Sequence, residues 1–239
     1  MSKALCIIPA RGGSKRIPRK NIKEFHGKPI IAYSIDIALR SGLFKEVMVS
    51  TDCEEIKGVS LEYGAHVPFL RSQANSNDFA STLDVVKEVL RSYAQLGIQF
   101  DRICVLYATA PLTQIAHLKK GYSLLSEYDG VMPVTEFSYP VLRSLKMNNG
   151  IVNYNWKEYA QSRSQDLPIL YHDAGQWYWV KKECIEQNTM FPEFTFGMVL
   201  NSNEVQDIDT LNDWFLAELK YSLLYQNSPL INLENEDSE

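Results

Sequence analysis

No stretch of this sequence approaches the ~20 consecutive apolar residues that a membrane-spanning helix needs, so no membrane span is expected. The first apolar run, Ala4 to Ile8, is stopped by Pro9 and Arg11 and is too short for the core of a secretory leader. Cysteine is scarce: Cys6, Cys53, Cys104 and Cys184 include no CxxC pair. They are expected to be small hydrophobes in a reducing cytoplasm, not disulfides or zinc ligands. An excess of positive charge is also missing, because 24 Lys and Arg face 29 Asp and Glu for a net charge of −5. Such a chain has no general attraction for nucleic acid or an anionic membrane. Neither GxGxxG nor GxxxxGK followed by Ser or Thr occurs, which excludes the two common glycine-rich nucleotide motifs. No internal repeat is visible.

What is present is an ordinary globular composition, 45% apolar and 22% charged over 239 residues. That length suits one large domain, or one domain carrying an insertion. Apolar runs at 4–8, 47–51, 66–70, 102–107, 130–134, 175–180 and 196–200 predict strands. Helix-period segments cover 30–41, 53–63, 79–96, 113–127 and 209–225. The strands show no polar alternation, so both faces are expected to be buried. Strand–helix alternation predicts a three-layer α/β/α, Rossmann-like domain over 1–225 with a mostly parallel sheet. Residues 137–170 break the rhythm; they are aromatic and polar, with Asn149-Gly150 as a hairpin turn. We read them as an insertion that packs on a second subunit, giving a homodimer. Residues 226–239 are polar and acidic and are expected to form a flexible tail.

Two patterns carry chemistry. "IIPARGGSKRIPRKN" (7–21) follows the first strand and holds Arg11, Lys15, Arg16, Arg19 and Lys20 around Gly12 and Gly13. Loops after strand ends are where α/β proteins bind ligands. Paired glycines allow amide N–H groups to converge on an anion, and five like charges in one loop repel unless a polyanion relieves them. A phosphate-binding loop is the reading; the alternative is a solvated basic turn. "EVQDIDTLNDW" (204–214) places Asp207 and Asp209 on alternate, same-side positions of an extended segment, a potential Mg²⁺ site. Asp209 as the cap of the following helix is at least as good an account at this point.

The motifs together resemble the CMP-sialic acid synthetase family of cytidylyltransferases. "IIPARGGSKRIPRKN" is similar to its signature loop, and "STD" (50–52), "FASTLDVV" (79–86), "ATAPL" (108–112) and "DIDT" (207–210) follow in family order. The similarity spans about residues 4–220, and "YHDAGQWYW" (171–179) looks most like the branch that activates pseudaminic acid for surface glycans or flagellin. The resemblance implies a nucleotidyltransferase fold, and CTP and a nine-carbon 2-keto sugar acid as substrates, with Mg²⁺ as cofactor and pyrophosphate as by-product. It implies that Arg11 and Lys20, with Lys15, Gly12, Gly13 and Ser14 beside them, hold the triphosphate. The main chain at Ala10 with Arg71 would read cytosine, and Asn21, Ser81 and Thr82 would bind base and ribose. Asp207 and Asp209 would ligate the metal, and Asp209 would help take the attacking hydroxyl's proton.

Departures from the sialic acid pattern concern the sugar. Where those enzymes carry Gln-Pro-Thr-Ser-Pro, this chain reads Tyr107-Ala108-Thr109-Ala110-Pro111. Tyr107, Thr109, Gln176 and Tyr178 are therefore the expected sugar contacts, with Gln176 and Tyr178 on one face of a strand and Trp177 and Trp179 on the other. Arg163 matches an arginine that reaches the neighbouring subunit's site, though an exposed loop arginine is an equal reading. Arg71 as a surface residue and Ser81-Thr82 as a helix first turn are the plain alternatives. The rivals to a pseudaminic acid enzyme are a sialic or legionaminic acid synthetase, and a non-catalytic nucleotide sensor.

Overall fold

The structure, a computed structural model, describes residues 4–225; the tail read at 226–239 lies outside them. Eleven strands and six α-helices are described. The strands are β1 (Ala4–Pro9), β2 (Glu24–Phe25), β3 (Lys28–Pro29), β4 (Glu46–Ser50), β5 (Arg102–Leu106) and β6 (Gly130–Glu136). They continue with β7 (Leu145–Asn148), β8 (Ile151–Tyr154), β9 (Tyr171–Asp173), β10 (Trp177–Lys181) and β11 (Thr195–Val199). The helices are α1 (Ile30–Ser41), α2 (Glu54–Glu62), α3 (Thr82–Gln95), α4 (Ile115–Leu124), α5 (Lys182–Glu186) and α6 (Leu211–Tyr225).

The main sheet runs β11-β6-β10-β5-β1-β4, with β9 also on β6. β1 pairs in parallel with β4 and β5, and β6 with β11. β10 lies antiparallel between β5 and β6, and β9 is antiparallel to β6, so the sheet is mostly parallel with two reversed strands. Alternating residues of each strand enter two different cores. Ala4, Cys6, Ile8, Cys104, Leu106, Trp177 and Trp179 meet α1, α2 and α4 on one face. Leu5, Ile7, Ile103, Val105, Tyr178 and Val180 meet α3 and α5 on the other. Each such Leu, Ile or Val contributes about 1.5–3 kcal/mol by leaving water, which is why these runs have no polar alternation. The four cysteines are free; Cys6 and Cys104 are buried side by side on neighbouring strands. No described helix is long and apolar enough to cross a membrane.

Segment 66–70 is not a strand. It makes one bridge, His66 to Met48, and Pro68 cannot donate to a ladder. Two helices start later than their periodicity suggests, because capping boxes fix their ends. Ser81 and Asp84 close the box before α3. Thr210 and Asp213 make the same reciprocal pair before α6.

The 137–170 stretch folds as the β7–β8 hairpin. Asn149 (φ 49°) and Gly150 (φ 81°) both take the left-handed conformation that a tight hairpin turn needs. Its aromatics build no core of their own among the described residues. Leu145, Met147, Ile151 and Val152 are all exposed. A third cluster joins the functional segments: Ile17 of the basic loop, Phe25, Ile30 and Tyr33 pack with Ile208, Trp214 and Ala217. This seam brings the acidic segment against the basic loop.

Candidate active site

β1, β4 and β5 are parallel neighbours, so their carboxyl ends open onto one rim. The loop leaves β1 with the Ala10 amide still donating to the Ser50 carbonyl at 2.9 Å. Gly12 and Gly13 are not in the left-handed region, and the convergent-amide picture fails for Gly12. Its N–H donates to Asp52 Oδ1 at 2.9 Å. Glycine is needed there for close approach: a Cβ would sit 3.0 Å from the Cβ of Cys53. The left-handed residue of the loop is Arg19, at φ 54°, just before a short 3₁₀ turn at Lys20–Ile22. Asn21, buried on that turn, donates its amide to the Arg11 carbonyl at 2.9 Å and pins the loop's two ends together.

Beneath the loop lies a cavity of about 480 Å³. Arg11, Ser14, Lys15, Lys20, Asn21, Arg71, Thr82, Tyr107, Thr109 and Asp209 all line it. Thus ten of the sequence candidates, drawn from five separate segments, converge. Arg71 forms the rear wall. Its backbone amide donates to the Thr51 carbonyl, and its guanidinium donates to Ser50 Oγ at 3.0 Å and the Ser50 carbonyl at 2.6 Å. It is buried, which excludes the surface-arginine reading, and that burial pushes its pKa down from the ordinary arginine value.

The cations are answered by carboxylates. Arg11 Nη1 lies 2.7 Å from Asp78 Oδ1, and Lys15 pairs with the other oxygen of the same carboxylate. Hydrogen bonds from Lys15 and then Arg11 hold the Asp78 carboxyl below its usual range. Arg16 donates to Asp209 Oδ1 at 2.8 Å, with Lys20 Nζ 3.7 Å from the same atom. Lys20 also donates to the Ile208 carbonyl at 2.5 Å. Arg19 turns away to Glu55. Asp209 does not cap α6, since Thr210 and Asp213 do so. Its carboxylate is left facing the cavity.

Asp207 does not line the cavity. Its carboxyl lies against Gly175, where a Cβ would come within 3.2 Å of its Cγ. Burial, and then the charge of Asp209, push its pKa up. Among the described residues, no group of three or more His, Cys, Asp or Glu side chains is arranged to hold a metal. The two aspartates are therefore an incomplete donor set.

A second cleft, of about 420 Å³, adjoins the first and shares Thr82 and Tyr107 with it. Asp173, Tyr178, Met190 and Phe191 also line it. The Tyr107 and Tyr178 rings meet edge-on with centroids 5.3 Å apart, and Phe191 meets Tyr178 at 5.5 Å. Tyr178 O–H donates to Asp173 at 2.7 Å, and its burial keeps the phenol protonated.

Two expectations need correction in placement, those for Ser81 and Gln176. Ser81 faces the second cleft, and its hydroxyl serves the α3 cap. Gln176 shares a strand face with Tyr178 but is buried short of either cleft; its amide donates to the Glu204 carbonyl at 2.6 Å. Its backbone carbonyl accepts from the Tyr107 backbone amide at 2.8 Å, so it braces the cleft from behind. Trp177 and Trp179 are core, as alternation allowed. Arg163 is exposed in the insertion and paired with Asp166 at 2.7 and 3.0 Å, outside both cavities. Three residues went unread as site residues. Arg16 was counted only as charge, Asp78 sits in a polar run with no motif around it, and Asp173 is placed by the short β9.

A cation-lined cavity at the carboxyl rim of a mostly parallel sheet, with acids opposite, has the charge and position that suit a polyphosphate ligand. The cytidylyltransferase family model matches residues 5–195, and the chain belongs to that family. It is 45% identical to a pseudaminic acid cytidylyltransferase of Campylobacter jejuni subsp. jejuni serotype O:2, over 95% of this chain and 99% of that one. It is 33% identical to a CMP-N,N'-diacetyllegionaminic acid synthase of Legionella pneumophila subsp. pneumophila, over 90% of this chain and 94% of the other. The solved structure of a CMP:2-keto-3-deoxy-manno-octonic acid synthetase complexed with CTP superposes with a TM-score of 0.67 at 18% identity, covering 95% of this chain and all of that one. That likeness carries the fold.

Proposed function

We propose that the protein joins CTP to pseudaminic acid, giving CMP-pseudaminic acid and pyrophosphate. The observation that carries this is the convergence of Arg11, Lys15, Lys20 and Asp209 on one cavity that opens into a second cleft through Tyr107 and Thr82. It is supported by similarity to the Campylobacter enzyme along nearly the whole of both chains.

Arg11, Lys15 and Lys20, with Arg16 beside them, neutralise the triphosphate. Arg71, Asn21, Thr82 and the main chain at Ala10 form the wall for base and ribose. Fixed donors at the cytosine edge would reject uracil, which would leave them unpaired. The sugar acid occupies the second cleft against Tyr107, Tyr178 and Phe191, with Asp173 at its edge and Thr109 on the side of the first cavity. Its C2 hydroxyl then approaches the α-phosphorus from the side opposite the leaving pyrophosphate. The new O–P bond forms as the bond to pyrophosphate breaks, and the hydroxyl proton passes to the Asp209 carboxylate. Repulsion between sugar carboxylate and triphosphate is the main obstacle, and the ring of cations lowers it.

Asp209 and Asp207 would hold Mg²⁺. These two carboxylates alone do not complete a site, but a hard cation that keeps waters and takes phosphate oxygens needs few protein ligands, and its charge beside Asp207 would offset the cost of ionising that residue. When bound, the metal supplies charge neutralisation on the phosphates. We further propose a homodimer formed through 137–170, whose exposed apolar residues need a cover, with Arg163 directed to the partner's sugar cleft. Sedimentation at micromolar concentration would show a dimer; a monomer contradicts the assignment. The cytoplasm is the proposed site of action, for glycan or flagellin modification.

A panel of nonulosonic acids tests the sugar. With CTP and Mg²⁺, pyrophosphate release should be fastest with pseudaminic acid. Faster release with N-acetylneuraminic or diacetyllegionaminic acid would overturn the sugar while leaving the reaction class standing.

A further inference from the structure

Asp78 belongs to none of the motifs above, yet it makes the closest acidic contact in the cavity. One carboxylate oxygen meets Arg11 and the other meets Lys15. One small anion thus bridges two cations that the mechanism assigns to phosphate, as two oxygens of a phosphoryl group would. The flanking residues are held, Ser72 and Asn75 by Glu88 and Ser81 by the α3 cap, but the turn between them is not packed into the core. Asn77 Oδ1 accepts from the amides of Phe79 and Ala80 at 2.8 and 3.0 Å, making a local turn outside any helix or strand. The next side chain, Phe79, is 95% exposed, so no apolar anchor fixes the turn. Releasing Asp78 from the cations would therefore cost little packing.

We propose that Asp78 is an exchangeable counter-ion: it positions Arg11 and Lys15 in the free protein, gives way to triphosphate oxygens when nucleotide binds, and returns as pyrophosphate leaves. This rests on the CTP reading of the cavity. Without Asp78, two like charges side by side in one loop would repel and spread. With it they stay close, at the expense of nucleotide affinity, because the carboxylate must be displaced. A polyanion product held by four cations would otherwise leave slowly, and Asp78 supplies a competing anion within the same molecule.

The test is calorimetric titration of wild type, Asp78→Asn and Asp78→Ser with CTP, inorganic pyrophosphate and cytidine. Two exposed ion pairs that no longer compete should tighten CTP and pyrophosphate binding on the order of 3- to 20-fold in both variants. Cytidine, which carries no phosphate, should bind with unchanged affinity, whereas a merely structural role would move all three ligands together. The gain should shrink as salt is raised. Equal or weaker CTP and pyrophosphate binding by both variants overturns the proposal. If wild type itself binds no CTP, the nucleotide reading of the cavity fails and this inference with it.

Discussion

Replacing Asp209 by Ala separates chemistry from architecture. The carboxylate accepts from Arg16 at 2.8 Å and lies 3.7 Å from the Lys20 ammonium, with the Asp209 side chain 42% and the Arg16 side chain 67% exposed. Exposed pairs of this kind contribute about 0.2–1 kcal/mol, and solvent screening places these at the low end. The Asp209 backbone amide donates to Asp213 at 3.1 Å and is kept in the variant, as is the Thr210–Asp213 box. Stability should therefore fall by about 1 kcal/mol or less, which for a domain of this size is a Tm shift of about 2–4 °C. Turnover should fall much further. Loss of a group that accepts the proton and helps hold the metal costs about 10²–10⁴-fold in kcat, or about 3–5 kcal/mol of barrier. CTP affinity should persist, since Arg11, Lys15 and Lys20 remain and one repelling charge is gone. Pyrophosphate release, calorimetry with CTP and a melting curve on one preparation give all three quantities. A kcat within about threefold of wild type refutes the assigned role. A Tm loss of about 10 °C with CTP binding abolished would make Asp209 a structural residue. A nucleotide sensor would show no turnover in either protein.

Other consequences are equally specific. A Cβ on Gly121 would lie 2.8 Å from the Trp177 and Trp179 rings; Gly121→Ala should cost about 1–3 kcal/mol in denaturant unfolding, and an unchanged midpoint would show the core has slack there. Gly12→Ala forces the loop away from Cys53, so KM for CTP should rise more than kcat falls; a variant with native KM contradicts that approach. Asp207 has its pKa raised in the native state, so its stabilising contribution is full below the unfolded value of about 3.9 and is lost as pH rises through the higher native value. In metal-free protein Asp207→Asn should thus be more stable than wild type near neutral pH and equal to it in acid, by urea unfolding across pH; a less stable variant at neutral pH opposes the sign.

The layers of the fold were legible because the strand runs are buried on both faces, which leaves an unbroken apolar signature in 4–8 and 102–107. β10 was visible as a strand, but its reversed direction was not, because direction depends on which neighbours accept its hydrogen bonds and not on its own residues. The loop's charge identified the phosphate region, yet the use of its glycines was misjudged. Asp52, in the bend just after β4, reaches across to take the Gly12 amide, and such a contact leaves no local trace. Asp209 was ambiguous between cap and site until Thr210 and Asp213 were seen to close the helix end themselves. Gln176 was misplaced by a rule that was itself correct: it lies on the expected face, but β10 begins one residue later and the chain dips behind the cleft. Asp78 was unreadable because nothing in its own segment announces a partner in the basic loop.

The central claim is that this cavity transfers a cytidylyl group to a sugar acid. The direct measurement is mass-spectrometric analysis of a reaction containing the protein, Mg²⁺, pseudaminic acid and equal CTP and UTP. The account predicts CMP-pseudaminic acid and pyrophosphate in equal amounts, drawn from CTP and not UTP, and about a hundredfold less or lower still from the Asp209→Ala protein at matched times. Absence of a cytidylylated sugar, or equal consumption of UTP, would contradict it.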